Sequence, residues 1–179
     1  SYTALAALVK PLVVVVALIP FIVLYRSEKF KELILYVVIG FLTVLIFTLP
    51  YLLVDPWSFM YKSVFFHMNR YPQEYSLWAI PIYAVNYDVS RIPTWIKYVW
   101  SPIFFTLLTI LYIQFIKLGR YTEKMIVKYY LLVLLISLIV NKVGNVNYFI
   151  WLLPLLVIYT VLNNLYRDKK YLLLYIFIS

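Results

Sequence analysis

The sequence predicts an all-α, polytopic transmembrane helical protein of about five to six spans with a long outer loop. Three observations predict it. First, 65% of the 179 residues are hydrophobic and 13% are charged, with a mean hydropathy of +0.92, which leaves too little polar surface to coat a water-soluble globule. Second, several apolar runs approach the ~20 residues needed to cross a bilayer as a helix, and no alternating barrel strands are evident. Third, one long polar interruption, Asp55 to Trp100, separates the runs and holds the only histidine, His67. In a chain otherwise immersed in lipid, such a loop points to something polar handled at the membrane surface.

The spans follow in order. The first runs from about Ala4 to Tyr25 and is closed by Arg26, Lys29 and Lys31; the second runs from Leu33 to Val54, with Pro50 loosening its end. After the loop come a third span up to Ile116, a basic link with Lys117, Arg120, Lys124 and Lys128, and a fourth span ending at Val140. A short turn, Asn141 to Asn147, leads into a fifth span from Tyr148 to Tyr166, then Arg167, Lys169, Lys170 and a last apolar run, Tyr171 to Ser179, too short to span. Lys and Arg concentrate after spans one, three and five, so the positive-inside rule places those links in the cytoplasm and puts the Asp55 to Trp100 loop and the Asn141 to Asn147 turn together outside. The expected location is the cell membrane, multi-pass. The whole reads as a single transmembrane domain over residues 1–179 without repeat or soluble domain, and both ends look cut, so a fragment lacking earlier spans is expected.

The net charge of +9 arises from short basic clusters between apolar spans, a topology signal rather than a nucleic-acid surface. Cysteine is absent, so neither disulfides nor thiolate metal sites are available, and with one histidine no metal site is expected.

Within the loop, Asp55-Pro56 is a helix start: the carboxylate can cap free N–H groups and proline fits the first helical position. A helix from Pro56 to Arg70, stopped by Pro72, carries Trp57, Met60, Tyr61, Val64, Phe65 and Met68 on one face and should lie along the bilayer surface. Phe59 and Phe66 break its polar face, which fits burial against neighbouring spans. His67 and Arg70, three residues apart, project from adjacent positions and can both donate to an anion such as a phosphate. An equal reading has Arg70 reaching lipid headgroups and His67 satisfying a backbone carbonyl. Trp78, Tyr83, Tyr87, Trp95 and Trp100 form either an aromatic floor for sugar rings or, for most of them, an interfacial belt. Lys10, in the outer third of span one, needs a partner, because an unpaired ammonium there costs roughly 2.5–3.5 kcal/mol. Lys142, in the outer turn, is balanced between joining the same anion and simple snorkelling. Asp55 reads as a cap far more than as a base, Glu74 is open as a base, and Asp88 with Arg91 reads as a loop ion pair of little consequence.

Three stretches carry a resemblance. Leu49-Pro50-Tyr51-Leu52-Leu53-Val54-Asp55-Pro56-Trp57-Ser58-Phe59, followed by Phe66-His67-x-x-Arg70-x-x-Gln73-x-x-Ser76-x-Trp78, resembles the polyprenol-phosphate-mannose-dependent mannosyltransferases of the GT-C superfamily. Lys142-Val143-x-x-x-Asn147-Tyr148-x-x-Trp151-Leu152-Leu153-Pro154 resembles that family's K-V-x-S-P-Q-Y-x-x-W-L-L-P signature, and Ala6-Ala7-Leu8-Val9-Lys10-Pro11 is similar to its A-L-x-K-P span opening. The chain departs from the family where Tyr75 stands directly before Ser76 in place of a Glu and where S-P-Q reads Asn145-Val146-Asn147. The family's catalytic acid lies in a first outer loop that this sequence does not contain.

The resemblance implies a GT-C-like membrane hexosyltransferase that moves a sugar, mannose by analogy, with inversion from a polyprenyl-phosphate donor to a glycan or glycolipid acceptor on the outer face. No cofactor is then expected beyond that donor. His67 and Arg70 are assigned to donor phosphate and sugar contacts, Lys10 and Lys142 to electrostatic support, and Asn147 and Tyr148 to the sugar or the polyprenyl chain. The catalytic base stays unassigned. The expected partners are membrane lipids, donor, acceptor and a subunit supplying missing spans. The alternatives are a non-catalytic membrane subunit or scaffold and, ranked last for want of mid-membrane polar residues beyond Thr43 and Thr48, a transporter or flippase.

Overall fold

A computed structural model of the chain describes residues 13–74, 76–144 and 149–164. The described chain is helical apart from one pair of two-residue strands. Helices α1 (Val13–Val16) and α2 (Leu18–Arg26) lead into α3 (Phe30–Val54); the loop holds α4 (Pro56–Met60), a π turn (Tyr61–Phe65) and α5 (Phe66–Asn69) as one continuous rod. Strand β1 (Gln73–Glu74) follows, then 3₁₀ turns flanking α6 (Ile80–Ala84), and the long helices α7 (Trp100–Ile116) and α8 (Glu123–Ile139). Strand β2 (Val143–Gly144) and α9 (Phe149–Leu162) complete the described chain.

Helix α3 decides the environment. It is 25 residues long, about 37 Å at 1.5 Å per residue, and only 6% of its most apolar window is buried within the chain. A water-soluble core helix hides its apolar surface, whereas α3 exposes Phe41, Ile46 and Leu53 around its circumference. Its threonine hydroxyls bond within the helix: Thr43 Oγ1 donates to the Ile39 carbonyl at 2.6 Å and Thr48 Oγ1 to the Val44 carbonyl at 2.8 Å. The stretch Thr94–Ile116, a 3₁₀ turn running into α7, is the second described helix long and apolar enough to cross a bilayer, and Val14–Arg26 and Leu152–Leu162 are shorter apolar helices. Two such helices are fewer than the five to six spans expected.

The expected first span is broken at Ala17, three residues before Pro20, which lacks a helical donor. Proline at position 20 withholds an N–H from the Val16 carbonyl and crowds it, so α1 and α2 meet at an irregular joint. Two carbonyls at the joint accept from outside the helix: Tyr36 of α3 donates its hydroxyl to the Ala17 carbonyl at 3.1 Å, and Tyr112 of α7 donates to the Val15 carbonyl. In lipid no water would do this, so two tyrosines from neighbouring helices serve the carbonyls on either side of Val16.

Helix α8 is the hub of the packing. One side of it, with Tyr129 and Val133, meets Ile19 of α2 and Phe104, Leu108, Leu111 and Phe115 of α7. The other, with Leu131, Leu134 and Leu138, meets Leu152 of α9. A separate small core of Ile82, Ile92 and Ile96 lies inside the outer loop, so the loop is folded rather than merely tethered.

Candidate functional site

The site begins with the cap at Asp55. Its carboxylate accepts the Ser58 N–H at 2.9 Å, and Pro56 occupies the first helical position as expected. Hydrogen bonds from Ser58 hold the Asp55 carboxyl below its ordinary range. The cap is therefore present at neutral pH and is lost only as acid protonates the carboxylate through that lowered value. Asp55→Ala is expected to speed amide exchange at Ser58 and its neighbours, whereas Asp55→Asn, which keeps the acceptor, should not. Equal exchange in the two variants would remove Asp55 as the cap.

From this cap the rod runs to Asn69, one residue short of the expected end. Its apolar face is open: Trp57 is 70% exposed, and Tyr61 and Met68 are about half exposed. Phe59 is half-buried and stacks on Tyr51, while Phe66 keeps half of its surface exposed, so burial of these two rings against the spans is only partial. At Arg70 the backbone turns extended (φ −74, ψ 153), which leads the chain out of the rod toward Pro72; a residue before proline disfavours the helical region, so Tyr71 does not resume the helix.

The outer loop and the outer turn are then stitched together. Gln73 and Glu74 pair in parallel with Val143 and Gly144, and the Gln73 N–H donates to the Lys142 carbonyl at 3.0 Å. The Trp78 indole N–H donates to the Val140 carbonyl at 2.7 Å, while Ser76 Oγ accepts from the Trp78 amide at 3.2 Å. Lys142 Nζ donates to the Met68 carbonyl at 2.6 Å, and the residue is only 2% exposed. A cation on the last carbonyls of a helix is favourable, because those carbonyls lack helical partners and carry the negative end of the dipole. This inward course replaces the snorkelling alternative for Lys142.

Three cations meet at this junction. The Arg70 guanidinium donates to Gln73 Oε1 and lies over the Phe66 ring, 5.7 Å from its centroid. Lys97 Nζ sits 4.3 Å from the centroid of the Tyr71 ring. Burial first, and then the positive charges of Lys97 and Arg70, lower the Lys142 pKa from its ordinary 10.5 to about 8. A set of like charges held close by folding is what an anion such as a phosphate can relieve.

Of the residues assigned from sequence, Arg70 and Lys142 come together. His67 lies on α5 one turn before Arg70 by its backbone, and its side chain, like that of Glu74, is outside the described part. Lys10, Asn147 and Tyr148 lie outside the described residues. Asp88 and Arg91 form the expected ion pair, 2.9 Å apart with both side chains open to solvent. Trp95, Tyr83 and Tyr87 are exposed as a belt would be, but Trp78 and Trp100 are half-buried and direct their indole N–H groups to the Val140 and Lys97 carbonyls. Lys97 was not singled out from sequence, and Gln73 entered only as a residue of the resembling motif; the signal for Lys97 was its place three residues before α7, in the same Asp55 to Trp100 segment as Arg70.

Comparison with protein-family models, with characterised proteins and with solved structures finds no match.

Proposed function

We propose that this chain is a multi-pass membrane glycosyltransferase unit that takes a sugar, mannose by analogy, from a polyprenyl-phosphate donor on the outer face. The observation that carries the reading is the union of two of the three sequence stretches that resemble the mannosyltransferases. They are remote in sequence, yet β1 pairs with β2 and Lys142 is bonded to Met68, which gathers Arg70, Lys97 and Lys142 at one junction. In the reaction an acceptor hydroxyl attacks the anomeric carbon, the bond from that carbon to the phosphate oxygen breaks, and the electron pair leaves with the lipid phosphate. The hydroxyl proton passes to a carboxylate base, which is not among the residues assigned here. Charge grows on the departing phosphate, and fixed cations at that position lower the barrier. Arg70 supplies a planar fork for two phosphate oxygens, Lys97 a second charge, and Lys142 both charge and the register that holds the Arg70 turn in place.

The test is transfer of labelled mannose from a short-chain polyprenyl-phosphate mannose by the full chain in proteoliposomes. Label should reach a hydroxyl acceptor only on the outer side. Absence of transfer to every hydroxyl acceptor offered, from a donor shown to bind, would end the proposal. Within that assay Lys97→Gln should raise the KM for the lipid donor roughly fivefold to tenfold and change kcat less, since one exposed-side charge contributes about 1 kcal/mol of phosphate attraction. An unchanged KM would remove Lys97 from the donor site.

A second reading, a non-catalytic membrane subunit packed against a partner, draws on the exposed circumference of α3. It predicts donor binding without transfer, with loss of the complex when Phe41 and Ile46 are made polar.

A further inference from the structure

We infer that the end of the molecule opposite the cation junction holds a second anion site, built for the headgroup phosphate of an anionic phospholipid in the inner leaflet. It depends on the membrane-spanning reading and not on the sugar-transfer one. A cavity of about 330 Å³ opens where the end of α2 meets the link between α7 and α8. Val23, Arg26 and Ser27 form one wall, and Gly119, Arg120 and Tyr121 the other.

The two arginines come from segments more than ninety residues apart and face the same space. Among the described residues no carboxylate lies within ion-pair distance of either, although Glu28, Glu32 and Glu123 occupy the same end of the molecule. The only described ion pair is Asp88 with Arg91. Two guanidinium groups lining one cavity repel each other unless an anion lies between them, and two planar forks suit the oxygens of a phosphate. Tyr121 donates its hydroxyl toward the Ile116 carbonyl at 3.4 Å, closing the last turn of α7 behind the cavity.

The position selects a lipid as the source of that phosphate. The cavity sits where two apolar helices, α2 and α7, both come to an end, which is the depth at which a bilayer's headgroups begin. Val23, on the core side of Arg26, offers an apolar wall on which a glycerol and acyl stem can lie below the phosphate. Lys29, Lys31, Lys117, Lys124 and Lys128 belong to the same two basic segments as the arginines and add the diffuse attraction that an anionic leaflet exerts on basic links.

The experiment uses the full chain in detergent, with dioleoyl-phosphatidylglycerol, dioleoyl-phosphatidylcholine and inorganic phosphate as separate probes, and reads bound ligand by native mass spectrometry. One equivalent of phosphatidylglycerol should be retained in preference to phosphatidylcholine, and the double variant Arg26→Gln, Arg120→Gln should weaken that retention about tenfold or more. Lys124→Gln with Lys128→Gln, an equal charge change in the neighbouring part of the chain outside the cavity lining, should weaken it less than about twofold. Arg120→Lys, which keeps the charge but loses the fork, should fall between. Equal weakening by the two double variants, or equal retention of the two lipids, overturns the site. Inorganic phosphate that binds with the same arginine dependence and displaces phosphatidylglycerol at equal concentration overturns the lipid as its source.

Discussion

Replacing Arg70 by alanine is expected to lower sugar transfer on the order of a hundredfold to a thousandfold while leaving insertion and helix content unchanged, the range set by removal of one fixed charge stabiliser. The size of the effect follows from geometry. Arg70 stands at the end of the α5 rod where the backbone turns extended, and its guanidinium is held between a ring one turn back on the rod and a side chain beyond the turn. Gln73 Oε1 accepts from one of its nitrogens and the Phe66 ring supports one face, which leaves the remaining donors aimed without further ordering cost. Lysine cannot copy that fork, so Arg70→Lys should recover less than a tenth of the lost rate. Gln73→Leu removes the orienting acceptor but not the charge, and should give a loss smaller than that of Arg70→Ala. Transfer rates and a protease-protection assay of topology check all three variants together. A full rate in Arg70→Ala would leave the outer junction without a role in chemistry.

Local rules reached part of this arrangement and stopped at a definable point. Asp55-Pro56 was legible because a cap and a proline at the first helical position act within one turn of chain. The Asp88–Arg91 pair was legible for the same reason. The apolar runs fixed where α3 and α7 lie, since an uncharged stretch from Leu33 to Val54 has no stable alternative to a helix. What spacing could not show was how the joint at Ala17 is held, because the carbonyls on either side of Val16 are served by hydroxyls from Tyr36 and Tyr112, 19 and 97 residues away from them. Nor could it show whether Lys142 turned outward or inward, a choice made by the β1–β2 pairing and the free carbonyl of Met68. Lys97 was missed for a similar reason: its significance lies in contacts with Tyr71 and in its effect on Lys142, both set by the fold of the loop around Ile82, Ile92 and Ile96.

Lys142→Met is expected to cut transfer tenfold or more and, at the same time, to abolish a rise in stability at alkaline pH. The ammonium is buried, donates to the Met68 carbonyl and feels Lys97 and Arg70, and its pKa lies at about 8 in place of 10.5. Because the folded value is depressed, the unfolded chain binds the extra proton between those two values. Folding therefore gains stability from this residue as pH rises from about 8 toward 10.5, and that gain is lost as pH falls back through 8. Activity should run the other way: the charge that supports the phosphate and grips the Met68 carbonyl most strongly disappears above about 8, so the transfer rate falls there. Opposite slopes of rate and stability over one pH window cannot come from alkaline unfolding, which lowers both. Lys142→Arg, which stays charged, should move the fall in rate to higher pH, and Lys142→Met should show neither slope. At neutral pH the methionine variant should differ little in stability, because removing the buried charge offsets a carbonyl left without its donor at a cost of about 1–3 kcal/mol. Rate against pH and unfolding midpoint against pH, measured on the same detergent-solubilised preparations, decide it: a wild-type stability that falls from pH 8 to 10, or an unchanged rate profile in Lys142→Met, would separate Lys142 from the site.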